Sequence, residues 1–178
     1  MQEHHNQAVE LALIVRDRTD DGDTRLLAYD IATSQAQQSG QMFGWLAEWG
    51  LPQAPAEPSM TWMLRPPLGG GGHSGAGHSG AVDGAMPNMD MPGMVTPGMA
   101  MPGMATREQI LELDGLSGQA AETRFLELMI AHHRGGVEMA AAILDRSDVN
   151  VVRDLASGIL SVQGSEMALM ERMLIERR

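Results

Sequence analysis

The chain has no cysteine. Disulfides, thiolate metal sites, iron–sulfur clusters and cysteine nucleophiles are therefore excluded. Aromatic residues are scarce: two Phe, one Tyr and three Trp in 178 residues. Basic side chains are outnumbered, 12 against 23 acidic, for a formal net charge of −11. Nucleic acid needs its phosphates neutralised by Lys and Arg, so no nucleic-acid partner is expected. Anionic lipid is disfavoured by the same sign. No apolar run approaches the ~20 residues that span a bilayer. The start lacks the basic and then apolar regions of a secretory signal; Met1 is followed by Gln2, Glu3, His4 and His5.

Methionine, by contrast, is abundant, with 16 residues. Nine of them lie in a middle segment, 51–105, that also holds all nine prolines. With few charges and many Pro and Gly, this segment cannot bury enough apolar surface to offset its ordering entropy, and it reads as a linker, mostly loop. It contains the tract Gly72-His73-Ser74-Gly75-Ala76-Gly77-His78-Ser79-Gly80. A second tract, Met86 to Met104, holds seven Met and the repeats Met91-Pro92-Gly93-Met94 and Met101-Pro102-Gly103-Met104. Soft-metal capture and a sticky contact surface both account for that composition. His73 and His78 read either as weak ligands or as flexible linker.

The two ends match each other. Residues 1–50 set against 129–178, without a gap, give 17 identities in 50 positions, which indicates an internal duplication. Each copy reads as a helical hairpin, 1–50 and 106–178, with apolar residues at helical spacing. The turns fall at Arg18–Gly22 and Arg146–Asp148, where Ser, Thr and Asp can cap the following helix. Trp49-Gly50-Leu51-Pro52 ends the first hairpin. Thr106-x-x-Gln109 is a capping box that restarts helix, with a break expected between Glu112 and Gly118. The expected fold is all-α: a four-helix bundle of the ferritin-like kind, one domain built from two hairpins and a long crossover. Phe125–Leu128 stand ahead of Met129 with no counterpart ahead of Met1, so a truncated or processed chain is expected.

The sharpest motif is Met-x-x-His-His, present as Met1/His4/His5 and as Met129/His132/His133. Positions i, i+3 and i+4 share one helix face, so a thioether and two imidazoles project from one patch. Imidazole with thioether suits copper, cuprous above all. Magnesium and calcium want oxygen. Zinc, or another divalent metal, would need a carboxylate such as Glu10, Glu138 or Glu166. The partner helices could offer Gln35 and Met42, or Gln163, Glu166 and Met170. Met139 points to the His132 side but stands seven residues on, about 10 Å along the axis. Polar-face or core histidines are the plainer alternative for each pair. Met42, Met139, Met167, Met170 and Met173 read first as core filler. Trp45 and Trp49 are expected to pack at the hairpin end. Trp62, with Met60 and Met63, is expected to fold the linker back onto the bundle.

The run from Phe125 through Met129, His132, His133, Gly136 and Met139 to Ala140, followed by Leu155, Ile159, Gln163, Glu166 and Met170, resembles a bacterial domain-of-unknown-function family of ferritin-like bundles. That family includes the CopM-type copper-binding proteins. The resemblance implies an exported protein, secreted or otherwise extracytoplasmic, with copper as cofactor. It implies Met1, His4, His5, Met129, His132 and His133 as ligands, with Met139 as a further one. Leu11 stands where the second copy has Met139, which implies a weaker first site. The expected function is non-catalytic copper sequestration or transport. An interaction module with structural histidines is the alternative. A di-metal oxidase is a poorer one, because its Glu-x-x-His motif is absent. Self-association as a homo-oligomer stays open.

Overall fold

The computed structural model describes residues 1–68 and 101–177. The His73/His78 tract and the part of the Met-rich tract from Met86 to Ala100 lie outside the described residues. Five α-helices and one short 3₁₀ turn make up the regular structure: α1 (Gln2–Arg18), α2 (Gly22–Glu48), the turn Thr61–Leu64, α3 (Arg107–Gly115), α4 (Gly118–Leu144) and α5 (Asn150–Glu176). Among the described residues there is no strand, so the fold is the expected all-helical bundle. α3 is a short addition to the four long helices, set off by the break at Leu116–Ser117.

The ends of the helices are fixed by local chemistry. The Asp21 carboxylate accepts the Thr24 amide at 2.7 Å and caps α2. Thr106 and Gln109 close a reciprocal capping box at the start of α3. Each such cap is worth about 1 kcal/mol. α1 pairs with α2 and α4 with α5, and α1 lies on α4. That central pair is antiparallel: Val15 near the end of α1 packs with Phe125 early in α4, while Met1 clusters with Met139 late in α4.

The main core holds Leu11, Val15, Ile31, Phe125, Leu126, Met129 and Met170, each fully or almost fully buried. Its outer end is sealed by polar groups. Arg177 donates to Glu122 at 2.8 Å, to Asp21 at 2.8 Å and to the Thr24 hydroxyl at 3.0 Å, so the end of α5 is tied to the starts of α4 and α2. Thr19 donates to the other Glu122 oxygen. Three helix ends thus meet at one buried carboxylate.

The crossover returns to the bundle at both of its described stretches. Arg146 donates to the carbonyls of Arg65, at 2.9 Å, and Met63, at 3.1 Å, pinning the outgoing part to the end of α4. The incoming part, Met101–Ala105, lies across α1 and α4. The Gln7 amide holds Ala105 from both sides, donating to its carbonyl at 2.9 Å and accepting its N–H at 2.7 Å. Gly135, in the middle of α4, lets the Pro102 carbonyl lie against the helix backbone; a Cβ there would collide with it. Gly103 has φ +75° and meets the Ala131 carbonyl just as closely. Only glycine permits both the approach and the backbone angle.

Candidate metal centre

The four helical histidines lie in the seam between the hairpins, all fully buried. His4 and His132, which stand 128 residues apart and so occupy matching places in the two ends, stack face to face with ring centroids 3.6 Å apart and planes 29° apart. His5 and His133 flank them, each about 6.3 Å from its neighbour in sequence. The matching continues one layer out. His5 Nε2 meets Gln38 Oε1 at 2.8 Å, and His133 Nε2 meets Glu166 Oε2 at 2.7 Å. Gln38 and Glu166 are also 128 residues apart, so the same contact is built once with an amide and once with a carboxylate.

The hydrogen bonds assign the ring protons. His132 Nε2 faces the His4 carbonyl at 2.8 Å, and His4 Nε2 faces the Pro102 carbonyl at 3.2 Å. A carbonyl can only accept, so both rings carry their proton on Nε2. The Glu166 carboxylate and the Gln38 amide oxygen assign His133 and His5 the same way. In all four rings Nδ1 is left as a bare lone pair, buried and without a hydrogen-bond partner. The amides of Gln35 and Gln163, one turn from Gln38 and Glu166, are also buried without partners. Polar groups in such places ordinarily have partners, and here both acceptors (the Nδ1 atoms and amide oxygens) and donors (the amide N–H groups) lack one among the described protein atoms.

Burial keeps three of these rings, His4, His5 and His132, neutral. It lowers His4 to about 2, with repulsion from His132 adding to the effect and the Pro102 carbonyl opposing it. Burial lowers His132 to about 3, opposed by the His4 carbonyl. Burial lowers His5 to about 4, opposed by Gln38. A neutral imidazole with a free lone pair is the form that binds metals. His4, His5 and His132 therefore keep that form well below neutral pH.

The thioethers divide between two surroundings. Met129 is fully buried in the main apolar core with Phe125 and Leu126. Met1 joins a separate cluster of sulfur side chains, in which Met60, Met101 and Met139 are buried and Met63, Met104 and Trp62 pack against them. Helical spacing sets Met1 and Met129 one turn ahead of their histidines; it does not show that Met129 turns to the core and Met1 to the linker. The linker members Met60 and Met101 escape helical reasoning because they come from irregular chain. Met60 is 3% exposed and sits at φ 69°, the one non-glycine residue with positive φ among those described. Such strain costs on the order of 1–3 kcal/mol, and here it holds a buried sulfur in place. The cluster adjoins the histidine seam through one peptide unit: Met101 is in the cluster, and the next carbonyl, of Pro102, meets His4. Met42 lines a separate apolar cavity, and Met170 belongs to the main core. Among the described residues no three His, Asp or Glu side chains come together closely enough to hold an ion.

Fold and site together define a small helical-bundle protein with an internal histidine seam and a thioether cluster beside it. The chain belongs to the family described as Domain of unknown function (DUF305), whose profile matches residues 1–174. A candidate secreted DUF305 protein from Streptomyces coelicolor is 43% identical, with a TM-score of 0.78 over 99% of this chain and 88% of that one. A DUF305 fragment from Deinococcus radiodurans is 30% identical, with a TM-score of 0.68 over 99% of this chain and 91% of that one. CopM in its Cu(I)-bound form shares the fold at 18% identity, with a TM-score of 0.64 over 99% of this chain and 91% of that one. No curated sequence matches.

Proposed function

We propose that this protein is an extracytoplasmic binder of soft metal ions, copper above all, which it holds or carries without transforming. The observation that carries this reading is the set of four buried Nδ1 lone pairs, each left bare because its ring spends the Nε2 proton on an acceptor of the protein. The donor types gathered in the seam and in the cluster beside it are imidazole nitrogen and thioether sulfur, a set that selects cuprous ion over hard cations. His4 and His132 would supply nitrogen, with His5 and His133 behind them, and Met1, Met101 and Met139 would supply sulfur from the adjoining cluster. The copper-bound forms of CopM and the secreted description of the Streptomyces relative agree with the metal and the compartment. A second reading, an interaction module with structural histidines, draws on the fact that every Nε2 is already bonded.

A cuprous titration against a competing chelator separates the two. Submicromolar binding is expected, with one site abolished by the double variant His132→Ala, His133→Ala. Circular dichroism of the same variant checks the fold. Unchanged binding in a folded double variant would overturn the assignment to these residues. No binding by the parent protein would favour the interaction module.

A further inference from the structure

The repeated sequence builds one contact twice and gives it a charge once. His5 donates from Nε2 to the Gln38 amide oxygen at 2.8 Å, and His133 donates to the Glu166 carboxylate at 2.7 Å. His4 and His132 donate to backbone carbonyls. Of the four rings, His133 is the one whose proton rests on an anion. Resting on the soft-metal reading above, we propose that Glu166 ranks the donors of the seam. Acting through His133, it makes the second hairpin the first to fill with cuprous ion.

The first hairpin shows that the ring can be held without the charge. Gln38 stands in the matching place, and its amide bonds His5 at nearly the same distance, with the ring just as fully buried. A carboxylate there is harder to accommodate, because a charge taken out of water loses hydration. Glu166 keeps only 16% of its side-chain surface exposed. Among the described residues no arginine pairs with it; Arg134, next to His133 in sequence, pairs with Glu171 instead. The charge is thus surplus to holding the ring, and it gains a counterpart when a cation arrives.

The effect reaches the metal through the ring. His133 Nδ1 is a buried lone pair without a partner. A carboxylate at Nε2 draws the proton outward and leaves more electron density on Nδ1 than a neutral amide does. Partners of this kind are worth about 10- to 100-fold in metal affinity. The negative charge also attracts the ion across a seam of low dielectric. Met139, which matches Leu11, favours the second hairpin by a different route, through sulfur. The two causes separate because Met139 is untouched by exchanging residues 38 and 166.

Cuprous ion is titrated without oxygen into the 178-residue chain, against a competing chelator, with nitrogen-labelled histidine rings followed by magnetic resonance. In the parent protein the His133 ring is expected to shift before the His5 ring. Glu166→Gln is expected to weaken the first-filled site by about 10- to 100-fold. The exchanged protein, Gln38→Glu with Glu166→Gln, is expected to reverse the order, so that His5 shifts first. Without metal, the Nδ1 resonance of whichever ring faces the carboxylate is expected to stand apart, a signature that space-filling alone does not produce. Circular dichroism checks each fold. An unchanged order in the folded exchanged protein overturns the proposal and assigns the order to Met139. Undiminished affinity in Glu166→Gln overturns it while leaving the soft-metal reading in place, and decides alone should the exchanged protein fail to fold. Absence of cuprous binding by the parent overturns both.

Discussion

The two ends of the bundle are lined by matching residues and closed in opposite ways. At one end Arg177 ties Glu122, Asp21 and Thr24 together over a core filled by Phe125. At the other, the positions that match Arg177, Thr24 and Asp21 are Trp49, Val152 and Val149, and the first two line an apolar cavity. Between the ends, the histidine seam is nearly symmetric. The lesson is that the repeated sequence keeps its shape where the two halves face each other, at His4 and His132. It diverges where each half faces outward. A polar lock joins the helix ends on one side, and apolar side chains line the other.

The largest expected effect tests the symmetric middle. In the metal-free protein, His4, His5 and His132 are neutral in the fold and ordinary in the unfolded chain. Their folded values are depressed, so stability is full above the unfolded value near ~6.5 and falls as pH drops. Each histidine contributes about 1.4 kcal/mol per pH unit over that window, so a steep loss between about pH 6 and pH 4 is expected in denaturant melts. A stability that stays level from pH 7 down to pH 4 would break the picture of a buried, neutral middle.

Next is the filled end. Phe125→Ala should cost about 3–5 kcal/mol, whereas Trp49→Ala, on the cavity wall, should cost much less; equal losses would deny the difference between the ends. Gly135→Ala should destabilise by about 1–3 kcal/mol or more, because the Pro102 carbonyl must move away from α4. Gln7 is the matching position in α1. Gln7→Ala removes two hydrogen bonds to Ala105, at about 0.5–1.5 kcal/mol for each, and should cost a similar amount. The smallest effect is expected for Glu166→Gln, which makes the His133 contact resemble the His5–Gln38 contact. A change under about 1 kcal/mol is expected, read as a shift of roughly 2–4 °C or less. A large loss would show that the carboxylate is needed to hold His133.

Much of this was legible in the sequence, for physical reasons that can be named. Apolar spacing, the capping residues at Asp21 and Thr106 and the repeated Met-x-x-His-His motif determine helices, turns and the face on which the histidines stand. Periodicity places a residue on a face but says nothing of which neighbour lies opposite. The stacking of His4 on His132 was therefore not legible, nor was the parting of Met1 from Met129. The docking of Met101–Ala105 was hidden for another reason. Its determinants, Gln7 and Gly135, lie far away in sequence and look unremarkable alone.

That docking also orders events in time. The seat of Met101–Ala105 is made of His4 and Gln7 from the first hairpin and of Ala131 and Gly135 from the second. Neither hairpin offers it alone, so it comes into being only once the two have met. Closure of this clasp therefore requires both hairpins to be in place. The Ala105 amide, hidden only by Gln7, becomes a clock for that step: its exchange with solvent deuterium reports how often the clasp opens while the helices stay together.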